Sequence, residues 1–216
     1  MKRLSLAIAI ASTLLVAGQP SYAQPLPAFA PNALANALRT DGIDPAIGFR
    51  MSGPMNCIAG SSKNDWAYHC VATLTDTTHQ NRTVALEIMI FNGGYDFAAR
   101  DAQIKASVVR RGGRLSLDTQ PDVSLKGETL KISLQASCHQ SRGQTNSPAY
   151  CLLPVARNVL IFTQVPLAEA SSDRVTTSPN GADSFDDIGH AGSLASMGLV
   201  AIAKFQKAQL QGKKRN

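Results

Sequence analysis

Four cysteines, Cys57, Cys70, Cys138 and Cys151, are the residues of this 216-residue chain whose type and spacing most directly imply chemistry. A pair of thiols can serve as a redox couple, a metal clasp or a disulfide. The C-x-x-C spacing of a redox dithiol is absent, and the pairs lack the short ligand spacing of a zinc site, with no histidine completing one. No metal is therefore expected. Each pair instead brackets twelve residues rich in turn formers, around Gly60 to Asp65 in the first loop and Ser141 to Pro148 in the second. Equal spacing across two matching loops favours Cys57 with Cys70 and Cys138 with Cys151 among the three possible connectivities. Such a bridge ties a hairpin loop at its base and restricts the unfolded chain by about 3 kcal/mol.

Histidine is the next group able to work near neutral pH. His69 precedes Cys70 and His139 follows Cys138, so in two matching loops both lie near a disulfide. With Asp65 or Glu87 close by, His69 would form an acid–base pair, as would His139 with a carboxylate. The simpler reading makes both polar residues at strand ends. His79 falls in a turn and His190 at a helix start, where exposure is the default. Gly93 and Gly94, after Asn92 and before a helical pattern, could offer backbone N–H groups to a phosphate or carboxylate. A plain strand-to-helix turn is the simpler explanation. No nucleophile elbow, HExxH, phosphate loop, dinucleotide loop or calcium-hand pattern occurs, and no cofactor is implied. Arg100, Lys105, Arg110, Arg111 and Arg114 spread around a helix instead of forming a stripe, which argues against nucleic acid as a partner.

These groups need elements to hold them. Met1 to Ala23 carries Lys2 and Arg3, an apolar run from Leu4 to Ala17, a breaker at Gly18-Gln19-Pro20 and small residues before Gln24. That is the three-part pattern of a secretory signal peptide, and its apolar run is shorter than the roughly 20 residues of a membrane span. The leader holds two of the 21 basic residues and none of the 15 acidic ones, leaving 19 basic against 15 acidic residues. A mildly basic mature chain with no transmembrane segment is expected. Residues 24–45 read as a proline-rich leader with a short helix over Asn32 to Arg39, 46–212 as one domain, and 213–216 as a basic tail.

Within the domain, Trp66 to Thr75 and Thr83 to Phe91 alternate at the strand period, and Tyr95 to Arg111 has the helical one. Thr129 to Cys138 alternates again, followed by apolar runs Cys151 to Val155 and Asn158 to Val165. Leu167 to Gly181 shows no period, and a helix follows from Ser184 to about Gln211 with a stripe through Ala191, Leu194, Gly198 and Ile202. The two halves match as strand, tied loop, strand, turn, strand, helix. The expectation is an α+β two-layer sandwich built by internal duplication, an antiparallel sheet of about six strands with two helices on one face. The function that fits is an exported, non-catalytic binding or interaction module of the bacterial cell envelope, its partner a protein, polymer or lipid head group. The alternative is a hydrolase-like enzyme using a histidine with a carboxylate.

Overall fold

Alternation of bulky side chains from Trp66 onward builds the centre of the molecule. The computed structural model describes residues 26–78, 81–110, 114–126, 131–142, 149–166 and 183–213. The expected signal peptide over 1–23, most of the loop tied by Cys138 and Cys151, the expected connector Leu167 to Gly181 and residues 214–216 of the expected tail lie outside them. In chain order the elements are α1 (Pro31–Asp41), β1 (Phe49–Met51), β2 (Asn56–Ala59), β3 (Trp66–Asp76), β4 (Arg82–Phe91), α2 (Phe97–Arg110), β5 (Arg114–Thr119), β6 (Asp122–Lys126), β7 (Lys131–Gln135), β8 (Ser137–Arg142), β9 (Ala149–Ala156), β10 (Val159–Val165) and α3 (Asp183–Lys213).

Eight strands form one antiparallel sheet in the order β1-β3-β4-β10-β9-β8-β5, with β2 also paired to β3; β6 and β7 make a separate ribbon. About six strands were expected. The surplus comes from the edges: Ser52-Gly53-Pro54 splits one edge strand into β1 and β2, and β5 adds to β8. The expected strand Thr129 to Cys138 is likewise divided at Ala136, where β7 leaves the ribbon and β8 enters the sheet.

The middle six strands carry the internal repeat. Cys57 lies opposite Cys70 and Cys70 opposite Ile88; Cys138 lies opposite Cys151 and Cys151 opposite Thr163. The units meet through β4 and β10, where Ile88 faces Ile161 and Leu86 faces Thr163. Exchanging the units carries each of these pairs into the other, so the sheet has a local two-fold axis through the Glu87 and Phe162 pair. Both disulfides form as expected, Cys57–Cys70 and Cys138–Cys151.

The helices break that symmetry. Leu194, Ala195 and Ile202 of α3 are buried in one cluster with Leu86, Ile88, Leu153 and Ile161. Phe97 and Ile104 of α2 pack with Phe91, Leu152 and Leu160. Neighbouring residues of a strand point to opposite faces, so α2 and α3 cover opposite faces, and the expected shared face belongs to α1 and α3. The reason is in β9 and β10. Cys151-Leu152-Leu153 and Val159-Leu160-Ile161 are buried without alternation, so both faces of the central sheet are apolar and both need a cover.

Close packing fixes α3 against the sheet. A Cβ at Gly198 would stand 2.9 Å from Ile161 Cδ1 and 3.2 Å from Leu86 Cδ1. At the opposite end Gly60 admits no side chain, since a Cβ there would fall 2.1 Å from the Trp66 carbonyl oxygen at the turn before β3. Residues 26–45, expected to be a leader, are part of the packed body. Leu26 bridges to Ala156, and Leu34, Ala35 and Leu38 of α1 join the main core. Buried Asn158 holds this segment, receiving a hydrogen bond from the Phe29 amide at 3.0 Å and donating to the Phe29 carbonyl at 2.8 Å.

Candidate functional site

Three elements, α2, β5 and β8, converge on one polar cluster. Ser137 and His139 are two apart in β8 and so project to the same face, the one α2 covers. Asp118 of β5 is the cross-strand partner of His139. Asp101 and Lys105 lie one turn apart on α2, forming an i,i+4 ion pair at 3.0 Å. His139 is fully buried: its Nε2 is 2.6 Å from Asp101 Oδ1 and its Nδ1 3.0 Å from Asp118 Oδ1. Lys105 Nζ also reaches Asp118 Oδ2 at 3.2 Å. The Asp118 contact is close enough for charge attraction but is not aligned as a hydrogen bond.

Electrostatics follow from these contacts. Burial alone would raise the carboxyl of Asp101, but hydrogen bonds from His139, Lys105 and Ser137 outweigh it and hold the group below its ordinary range. Desolvation would lower Lys105, and the hydrogen bonds to Asp101 and Asp118 instead raise it. The cluster therefore keeps the Asp101 carboxylate and the Lys105 ammonium ionised at neutral pH.

A serine, a histidine and an aspartate in contact suggest a nucleophile with its base, but the wiring differs. A working triad places the hydroxyl on one imidazole nitrogen and the orienting carboxylate on the other. Here Ser137 Oγ is 3.0 Å from Nε2, yet Asp101 occupies the same nitrogen at a shorter distance, and the hydroxyl donates to Asp101 Oδ1 at 2.9 Å. Nε2 must carry the proton it gives to Asp101, so it has no lone pair for Ser137. The group is a closed bridge between α2 and the sheet.

Beside it opens a cleft of about 170 Å³ between α2 and the junction of β7 with β8. Asp101, Lys105, Ser137, Gln120 and Gln135 are its polar lining, and Phe97 with three alanines its apolar part.

The same face carries the second histidine. His69 Nε2 is 2.7 Å from Glu87 Oε2, both side chains partly exposed, and the edge of Trp66 meets the imidazole at a centroid distance of 5.7 Å. The pairing of His69 with Glu87 weighed in the sequence is thus formed, while Asp65 pairs with Arg100 instead. Among the described residues no hydroxyl or thiol hydrogen-bonds to this pair. Gly93 and Gly94 form the turn before α2, and the Asp96 side chain accepts from the Ala99 amide at 3.0 Å. That carboxylate takes the place an anion would need at the helix start.

Sequence reasoning missed Ser137, Asp101, Lys105 and Asp118. The signals were the S-x-H spacing on a strand and the D-x-x-x-K spacing on a helix, each common on an ordinary polar surface; only the packing of α2 on β8 joins them. A further buried group lies at the far end of β3. Asp76, without solvent exposure, accepts from Arg82 Nε at 2.9 Å and Thr78 Oγ1 at 2.6 Å, with His190 Nδ1 of α3 at 3.1 Å. Among the described residues no group of histidine, cysteine and carboxylate side chains is arranged to hold a metal, and no helix is long and apolar enough to cross a membrane.

No protein-family model, no curated protein and no solved structure matches the chain.

Proposed function

We propose that this protein is an exported binding module of the cell envelope without catalytic activity. The observation that carries the reading is the closed wiring of His139, whose Nε2 faces Asp101 while Ser137 spends its hydroxyl on the same carboxylate. Two disulfides and a signal-like leader support export. The mature chain, beginning at Gln24, should be retained on envelope fractions of cells that export it and should be retrieved by affinity capture with its partner. Intact mass of the exported form should show the loss of residues 1–23. Retention of Met1 in that form would overturn export, and failure of any envelope fraction to retain the mature chain would overturn the binding role.

A hydrolase remains the second reading, favoured by the contact of Ser137, His139 and Asp101. It requires that a substrate displace Asp101 from Nε2. Turnover of a chromogenic ester by the native protein, abolished by Ser137→Ala with the fold intact, would establish it; equal background rates for both would dismiss it.

A further inference from the structure

We propose that the cleft between α2 and the β7–β8 junction binds a neutral sugar ring, an assignment of ligand class that rests on the binding-module reading above. Three features of the cleft select this chemistry. Among the described residues that line it, the charged side chains are Asp101 and Lys105, already paired at 3.0 Å and tied to His139 and Asp118, so the lining is balanced and a charged ligand would have to break that pairing. Gln120 and Gln135 line the cleft and bring two side-chain amides to it. Each amide presents two N–H donors and one carbonyl acceptor. Phe97 and three alanines supply an apolar surface beside them.

The complement of such a cleft is an uncharged molecule with one apolar face and a rim of groups that both donate and accept. A pyranose has that form: ring C–H groups lie on the aromatic and alanine surface while hydroxyls meet the amides. An extended peptide offers one donor and one acceptor per residue along its length, and it needs a groove longer than a compact cleft of about 170 Å³. A lipid head group or nucleotide brings phosphate, for which the cleft holds only a cation that is already committed. The buried bridge behind the cleft serves as a rigid back wall, since Asp101 is held on both oxygens, by His139 and Ser137 on Oδ1 and by Lys105 on Oδ2.

The test is a nuclear magnetic resonance titration of the disulfide-intact mature chain, following the amides of Gln135, Ala136 and Ser137. The probes are cellobiose and N,N′-diacetylchitobiose as neutral disaccharides, cellohexaose as a chain, glucuronic acid as an anionic sugar and tetra-alanine as a peptide. Saturable shifts with a neutral sugar are expected, weakened at least about tenfold in the Gln120→Ala, Gln135→Ala double variant, whose surface amides leave the core untouched. Tighter binding of cellohexaose than of cellobiose would assign the site to a polysaccharide chain, and equal binding to a free sugar; either supports the inference. Shifts with glucuronic acid or tetra-alanine alone, no shifts at all, or shifts unchanged in the double variant would overturn it. Failure with every sugar, while the mature chain still binds envelope fractions, would remove the ligand class and leave the module reading standing. Cleavage of a disaccharide in the same tube would overturn the module reading while keeping the ligand class.

Discussion

Asp76 shows how much one buried carboxylate governs. Burial pulls its pKa upward, but hydrogen bonds from Thr78 and Arg82 and the charge of His190 overcome this and hold it at about 2. A carboxyl depressed in the folded state stabilises the protein above its unfolded value and loses that contribution as pH falls through its folded value. Stability should therefore fall by about 2 kcal/mol between pH 4 and pH 2, read from denaturant midpoints across that range. Asp76→Ala should cost more, about 3–5 kcal/mol at neutral pH, because Thr78, Arg82 and His190 would all lose the buried carboxylate that they share. An unchanged midpoint for that variant would contradict the account. At the other polar cluster, Asp101→Asn should destabilise by about 1–3 kcal/mol, since it weakens the tie between His139 and α2 and leaves Lys105 with Asp118 as its ion-pair partner.

At the scale of elements, two helices serve two faces to different depths. Ile202 of α3 is wholly buried against the sheet, whereas Ile104 of α2 is only partly covered. An aspartate at Ile202 should cost about 4 kcal/mol or more, as an unpaired charge in the main core must; at Ile104 the carboxylate reaches water and the cost should be about 1–2 kcal/mol. Equal effects on melting temperature would argue against this difference in depth. Gly198→Leu should destabilise by about 1–3 kcal/mol, because Ile161 and Leu86 leave no volume for a side chain between α3 and the strands. Circular dichroism of that variant should retain helix and strand while its thermal midpoint drops.

Across the whole molecule, the two disulfides clamp equivalent hairpins on either side of the local two-fold axis. Each closes a loop with a sequence separation of 13, so its removal should release about 3 kcal/mol of loop entropy. Reduction of one bridge, by paired Cys57→Ala and Cys70→Ala, should lower stability by about that amount. Loss of both should approach twice that figure, because the bridges lie on different hairpins and share no partner. Non-reducing peptide mapping should find Cys57 joined to Cys70 and Cys138 joined to Cys151, with no peptide crossing between the pairs.

The cysteine pairing, the strand alternation of β3 and β4, and the existence of α2 and α3 were all determined by sequence alone, because each is a local property: equal spacing, a period of two, a period near four. For His69 the sequence offered two carboxylates, Asp65 and Glu87, and the pairing of β3 with β4 decided for Glu87. Which face each helix covers was decided only by the tertiary structure. An amphipathic stripe states that a face must be buried, and β9 with β10 offers apolar surface on both sides. The His139 cluster was decided there too. Its members come from α2, β5 and β8, which are separated in the chain, and no local period records that Asp101 comes to rest on a histidine 38 residues away.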